Sequence, residues 1–257
     1  MLIASTRMYN VAPGATAAWQ RLLARVSAAA GVALEVVEHA HPATLASLWA
    51  RADLGCAFMC GWPLAQEGAA QEDGRRPVIA APVPAGETGP RYHSVFAVAA
   101  GSPFATVEQT FGHRFAFNAK GSHSGWNMPR AHLAGLGGWY AAEVGPFGPH
   151  QRAAAAVAAG EADVAALDSL VWALLRRHDG ALAGALRVVG RTAEQPSPPL
   201  VGSDALGEGE AKRLRGALIG LADDPIGRAL LADVCLAGFE AVEMRDYDEA
   251  LRLQATG

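Results

Sequence analysis

The spacing of hydrophobic and polar positions changes period repeatedly along the chain, and each change marks an element. LIAST is a short apolar run that predicts a strand. Pro13 then opens a helix in which Trp19, Leu22, Leu23 and Val26 recur at helical spacing, and Gly31 is placed to end it. VALEVV predicts the next strand. Thr44 is placed to cap a helix carrying Leu45, Leu48 and Trp49. LGCAFM predicts a buried strand, with CGWPL turning away from its end. This β-α-β-α-β order predicts a parallel sheet with helices on both faces. Ligands of such sheets bind beyond the carboxyl ends of the strands.

The stretch from Gln66 to Arg76 is polar and glycine-containing and predicts a surface loop. VIAAPV and YHSVFAVAA predict strands, after which the pattern restarts. VEQTF predicts a short helix, RFAFN a strand, GSHSG a turn and WNMPRAHLAGL a helix. PHQRAAAAVAAG, ADVAAL, SLVWALLRRH and LRVVGRT then alternate helix, strand, helix, strand. Two further helices are expected around EAKRLRGALIGL and DPIGRALLADVCLAGF. Crossovers near 97–100 and 189–192 imply an α/β chain with two lobes. Residues 1–97 and 190–257 are expected to form the first and 98–189 the second, each a mostly parallel sheet flanked by helices. A cleft between lobes is a common place for a small-molecule site.

Composition narrows the function classes. Of 257 residues, 51% are hydrophobic and 18% charged, enough for a sizeable core and against wholesale disorder. A net charge of -4 gives no support to nucleic-acid binding, which calls for a basic face. No apolar run reaches bilayer-spanning length. MLIASTRMYN leads straight into the first expected strand, so no secretory leader is read; the chain as written is expected either to be cytoplasmic or to have lost a leader. Lys120 and Lys212 are the only lysines, a bias that fits coding pressure and carries no function. Cys56, Cys60 and Cys235 are odd in number, against a disulfide framework, and nothing beside them completes a metal site. No cofactor is expected.

The most informative stretch is GSHSG, Gly121 to Gly125. It has the strand–turn–helix setting of a hydrolase elbow, but His123 stands where G-x-S-x-G needs the nucleophilic serine. A helix beginning near Gly125 would present free N–H groups and the positive end of its dipole. With the Ser122 and Ser124 hydroxyls beside it, that is an anion site; the plainer reading is that Ser124 caps the helix. Tyr9, Trp62, Tyr92, His150 and Asp168 also fall at strand ends or helix starts. Each has an ordinary role as well: core packing for the aromatics, capping or solvent for His150, a cap for Asp168.

Taken in order, STRMYN, LWARADLGCAFMCGWPLA, GPRYHSVFAV, NAKGSHSG, GPHQRAAAAVAAGEADVAALDSLVW and DPIGRALL with GFEAV and DYDEAL resemble the PhnD-like phosphonate, phosphite and phosphate binding proteins of ABC importers. The resemblance runs from about Ser5 to Tyr247. It implies a type 2 periplasmic-binding-protein fold, in which two α/β lobes close around a small anion. It also implies a permease partner, a periplasmic location and a monomer that binds no nucleic acid. The family's S-x-S-G turn falls on Ser122, His123 and Ser124, its histidine before the alanine-rich helix on His150, and its tyrosines on Tyr9 and Tyr92. An acidic residue falls on Asp168, the loosest of these placements. His123 departs from the threonine often found between the serines, and is expected either to add a charge-assisted contact or to mark a different ligand. Asp168 would repel a fully ionised oxyanion, so it favours a protonated one or an aminoalkyl phosphonate.

Two other readings stay open. Ser122 or Ser124 with His150 and Asp168 has the residue types of a hydrolytic triad. The same fold with Trp62, Tyr92 and Trp126 around the ligand would suit a planar molecule such as a thiamine-precursor pyrimidine, or a sulfonate.

Overall fold

In the computed structural model, which describes residues 1–70 and 76–255, the chain begins with β1 (Leu2–Ser5), α1 (Pro13–Ala30), β2 (Leu34–Val36), α2 (Leu45–Trp49) and β3 (Leu54–Phe58). Then come α3 (Gly61–Ala70), β4 (Val78–Pro84), β5 (Arg91–Tyr92), β6 (Ser94–Ala99), β7 (Arg114–Ala116), α4 (Met128–Gly135) and β8 (Ala142–Val144). The middle continues as α5 (His150–Ala158), β9 (Val164–Asp168), α6 (Ser169–His178), α7 (Gly180–Gly184) and β10 (Leu186–Arg191). The chain finishes with β11 (Gln195–Pro196), β12 (Leu200–Val201), α8 (Glu208–Ile219), α9 (Pro225–Asp233), β13 (Leu236–Glu240) and α10 (Asp248–Ala255). By contacts it divides into Met1–Arg91 with Pro196–Asp248, and Tyr92–Gln195 with the C-terminal residues from Glu249.

The first unit holds a six-stranded sheet ordered β13-β4-β12-β3-β1-β2. β2, β1 and β3 are parallel, as the β-α-β-α-β pattern requires. The three pairings added beyond β3 are antiparallel, so the sheet is mixed and not mostly parallel as the sequence pattern predicts. α1 buries Trp19, Leu22, Leu23 and Val26 and packs on α8 and α9. Gly31 ends α1 at φ 61, a left-handed conformation open to glycine. The Thr44 side chain caps α2 by accepting from the Ser47 N–H at 3.1 Å.

Two sequence expectations change here. Residues 66–70, read as loop, complete α3: Gly61, Leu64 and Ala65 form a buried stripe, and Glu67 on the polar side pairs with Arg76 at 2.8 Å. The rest of that expected loop, 71–75, lies outside the described residues. The helix expected through DPIGRALLADVCLAGF stops at Asp233. Cys235 turns at φ 58, and Leu236–Glu240 extends to pair with β4. An edge offered by β4 outweighs the helical propensity of CLAGF.

The second unit holds a five-stranded sheet ordered β10-β6-β9-β7-β8. β8 and β9 flank β7 in parallel, while β6 runs antiparallel to both β9 and β10. α5 packs on β6, β7 and β9. The core gathers Phe96, Phe115, Phe117, Trp126, Leu133 and Tyr140 among others. The chain passes between units at 91/92 and 195/196, whereas the strands expected to cross, near 97 and 190, are β6 and β10, paired along their length inside this sheet. Among the described residues no helix is long and apolar enough to cross a membrane.

Candidate functional site

β7 leaves the sheet as Phe117 and Asn118, and the chain then turns through Ala119–Gly121 into Ser122. Ser122 is extended (φ -78, ψ 130), and its Oγ accepts the Gly125 N–H at 3.0 Å. The next five residues, His123–Asn127, wind as one π turn that runs directly into α4. Its opening bond is the Asn127 N–H to the Ser122 carbonyl at 3.2 Å. The helix thus starts two residues before the expected Gly125, and the cap is Ser122, not Ser124. Pro129 gives the local reason. It has no N–H to return toward the Ser124 or Gly125 carbonyls, which loosens this turn. The Ser124 carbonyl instead accepts from the Ser94 Oγ at 2.7 Å.

This frees donors. The N–H groups of His123 and Ser124 lead the turn and have no acceptor among the described residues. The Ser122 Oγ also accepts from the Asn118 Nδ2 at 3.0 Å, so with the Gly125 N–H both its lone pairs are engaged and its own hydrogen remains to be given. The Ser124 Oγ lies 3.0 Å from His150 Nε2 at the start of α5. Asn118, Ser122, His123, Ser124 and Gly125 are all buried, so these polar groups act where water competes little.

Neither histidine carries a charge at neutral pH. Burial pushes His123 down to about 4, against a weak opposing bond to Gln195. Burial likewise pushes His150 down to about 4, opposed by the Ala166 carbonyl. His123 is fully enclosed, with Nε2 3.4 Å from Gln195 Oε1 and Nδ1 without a hydrogen bond. A charge-assisted contact from His123 is therefore not available in this state.

The second unit brings Ser122, Ser124 and His150 together. Asp168 ends β9, and its Oδ1 caps α6 by accepting from Leu170 N at 2.7 Å and Val171 N at 3.3 Å. β6 and β9 set it opposite Ser94. Tyr92 is buried on β5. In the first unit, Tyr9 packs its ring against Phe58 at 4.8 Å and Trp19 at 6.0 Å, in the core, and Trp62 is half-buried at the start of α3. Trp126 does not line a planar-ligand site. It lies 5.1 Å from Phe117 and 6.0 Å from Trp139, with Lys120 Nζ at 4.9 Å and the Arg130 guanidinium at 5.5 Å over its ring.

The Ser124–His150 contact has the reach of a nucleophile and base. A triad also needs a carboxylate orienting the imidazole, and here the groups set against His150 are the Asn118 amide, the Ser124 hydroxyl and the Ala166 carbonyl. Among the described residues no cluster of His, Cys, Asp and Glu would hold a metal ion. Sequence reading passed over Asn118, Ser94 and Gln195, which the fold sets against the serines and His123. Only the place of Asn118, at the end of a strand just before GSHSG, signalled it.

A family model for the phosphonate periplasmic substrate-binding protein of ABC transporters matches residues 12–247. No curated protein matches the chain. Among solved structures, a binding protein component of an ABC phosphonate transporter from Pseudomonas aeruginosa superposes with a TM-score of 0.79 at 18% identity, over 98% of this chain and 85% of that one. PhnD1 from Prochlorococcus marinus in complex with methylphosphonate gives 0.80 at 18% identity, over 99% and 97%. MatC from Rhodopseudomonas palustris with bound malate gives 0.64 at 14% identity, over 100% and 96%. At these identities the likeness shows the fold, which is the type 2 periplasmic-binding-protein fold. Together with a family match over most of its length, this makes the chain a member of the periplasmic substrate-binding proteins of phosphonate ABC transporters, a component that holds a small ligand for a permease.

Proposed function

We propose that the chain binds a small phosphorus oxyanion, a phosphonate, phosphite or phosphate, at the Ser122–Gly125 turn, without chemical change to it. The observation that carries this reading is the state of the Ser122 hydroxyl. With both lone pairs engaged, it has only a proton to offer, beside two leading N–H groups of a helix start. Neutral donors in a buried turn suit an acceptor-rich anion without placing a second buried charge. Ser124 and His150 complete the cradle, and Tyr92, Asp168, His123, Tyr9 and Trp62 are proposed as further ligand-binding positions. The chain works as a monomer in the periplasm and needs no nucleic acid, metal or cofactor.

A thermal-shift panel of phosphate, phosphite, methylphosphonate, 2-aminoethylphosphonate, sulfate, alkylsulfonates and thiamine-pathway pyrimidines tests this. A ligand held at 100 times its Kd adds about 2.7 kcal/mol to the folded state, a readily measured rise in Tm. One phosphorus oxyanion is expected to raise Tm, and Ser124→Ala to remove the rise. A shift from a pyrimidine alone would keep the fold and overturn the ligand. Hydrolysis of a generic ester, lost in Ser124→Ala, would favour the Ser124–His150 pair as a catalyst instead.

Asp168 refines the ligand. Its Oδ1 caps α6, and a carboxylate is the kind of acceptor that a ligand O–H or ammonium calls for. Asp168→Asn keeps an oxygen for the cap. It is expected to weaken 2-aminoethylphosphonate about 10-fold or more relative to methylphosphonate, as losing a charged hydrogen bond would. Equal losses for both ligands, measured by calorimetry, would remove the role.

A further inference from the structure

We infer that Asn118 is the positioning residue of this site: its amide dictates which nitrogen of His150 carries the proton, and so leaves both serine hydroxyls to serve as donors to the bound oxyanion. The inference rests on the oxyanion reading for its consequence, but not for its geometry. Asn118 Oδ1 accepts the Ala119 N–H at 2.8 Å, which settles the orientation of the amide. Nδ2 must then face the other way, and it does so twice, 3.0 Å from Ser122 Oγ and 3.3 Å from His150 Nε2. An amide nitrogen is a donor only. A donor facing Nε2 requires a lone pair there, so the imidazole proton sits on Nδ1.

The consequences reach both hydroxyls. One Asn118 N–H fills the second lone pair of Ser122 and forces the Ser122 hydrogen outward. The other competes with the Ser124 hydroxyl, 3.0 Å away, for the Nε2 lone pair. When an oxyanion arrives, Ser124 can turn its hydrogen to the ligand while Asn118 keeps Nε2 satisfied. Without Asn118 the Ser124 hydrogen stays with His150. Asn118 is also hemmed in: a Cβ on residue 125 would lie 1.9 Å from its Oδ1, so glycine there is part of the same arrangement.

The test compares the full chain with Asn118→Asp and Asn118→Ala. Nitrogen-15 NMR of the ligand-free wild-type protein at neutral pH is expected to show His150 Nε2 unprotonated and Nδ1 protonated. Asn118→Asp keeps the shape but presents an acceptor, and is expected to move the proton to Nε2. A protonated Nε2 in the wild type, or the same tautomer in both proteins, would overturn the inference. This outcome is independent of ligand, so it stands even if no phosphorus compound binds. For binding, methylphosphonate is the probe. Asn118→Ala is expected to weaken it about 100-fold, because both hydroxyls are misdirected, and to lower the Tm of the free protein, because the Ala119 N–H, Ser122 and His150 lose a buried partner. Unchanged affinity would sink the claim about the hydroxyls. Should Asn118→Ala not fold, the aspartate variant decides through the tautomer alone.

Discussion

Gly125→Ala is expected to abolish ligand-dependent stabilisation and to cost about 1–3 kcal/mol of stability, as overpacking of a close-packed site does. A Cβ at this position would lie 1.9 Å from Asn118 Oδ1 and 2.6 Å from its Cγ, far inside contact distance. Side chains at the end of a flexible arm can swing away from such a clash, but Asn118 is held by Ala119, Ser122 and His150. Moving it strips a partner from the Ser122 hydroxyl and from the imidazole together. Two misdirected donors, each worth about 1.5 kcal/mol, amount to about a 100-fold loss of affinity. Calorimetry with the ligand found in the thermal-shift panel, alongside chemical denaturation, checks both parts. Retained affinity would mean that Asn118 yields and that the cradle does not depend on it.

Acidification is expected to unfold the protein through its buried histidines. His123 is enclosed and pushed down to about 4, from an ordinary value near 6.5. Between those values the unfolded chain binds the proton and the folded one does not, so stability falls as pH falls through this window. Above 6.5 neither state is protonated and the effect vanishes. For His123 alone, going from pH 7 to pH 5 costs about 2 kcal/mol. His150, lowered in the same direction, adds to the loss. Urea denaturation at pH 7 and pH 5 measures the slope, and His123→Gln, which carries no titrating ring, is expected to remove much of it. An unchanged slope in that variant would show that the acid sensitivity lies elsewhere.

Parallel β1, β2 and β3 were legible because one apolar run after another alternated with helical spacing, and the Thr44 and Gly31 caps were legible from residue type. β13 was not, since CLAGF continues an apolar helical pattern and becomes a strand only because β4 offers it an edge. The π turn escaped for a similar reason. It follows from Pro129 and from where the Ser124 carbonyl finds its donor, which is Ser94, 30 positions away.

The sequence alone determined the alternation of strands and helices, the absence of a hydrolase elbow at His123, and the place of two serines at a helix start. Those properties are local, set by side-chain period and by which residues can cap or turn. The tertiary structure decided what each polar group does. Asn118, Ser94, His150 and Gln195 meet the turn from other strands and helices, and burial keeps the His123 ring neutral well below the pH at which an exposed histidine takes up its proton. Hydrogen-bond direction and desolvation depend on neighbours brought together by folding, and no spacing along the chain records them.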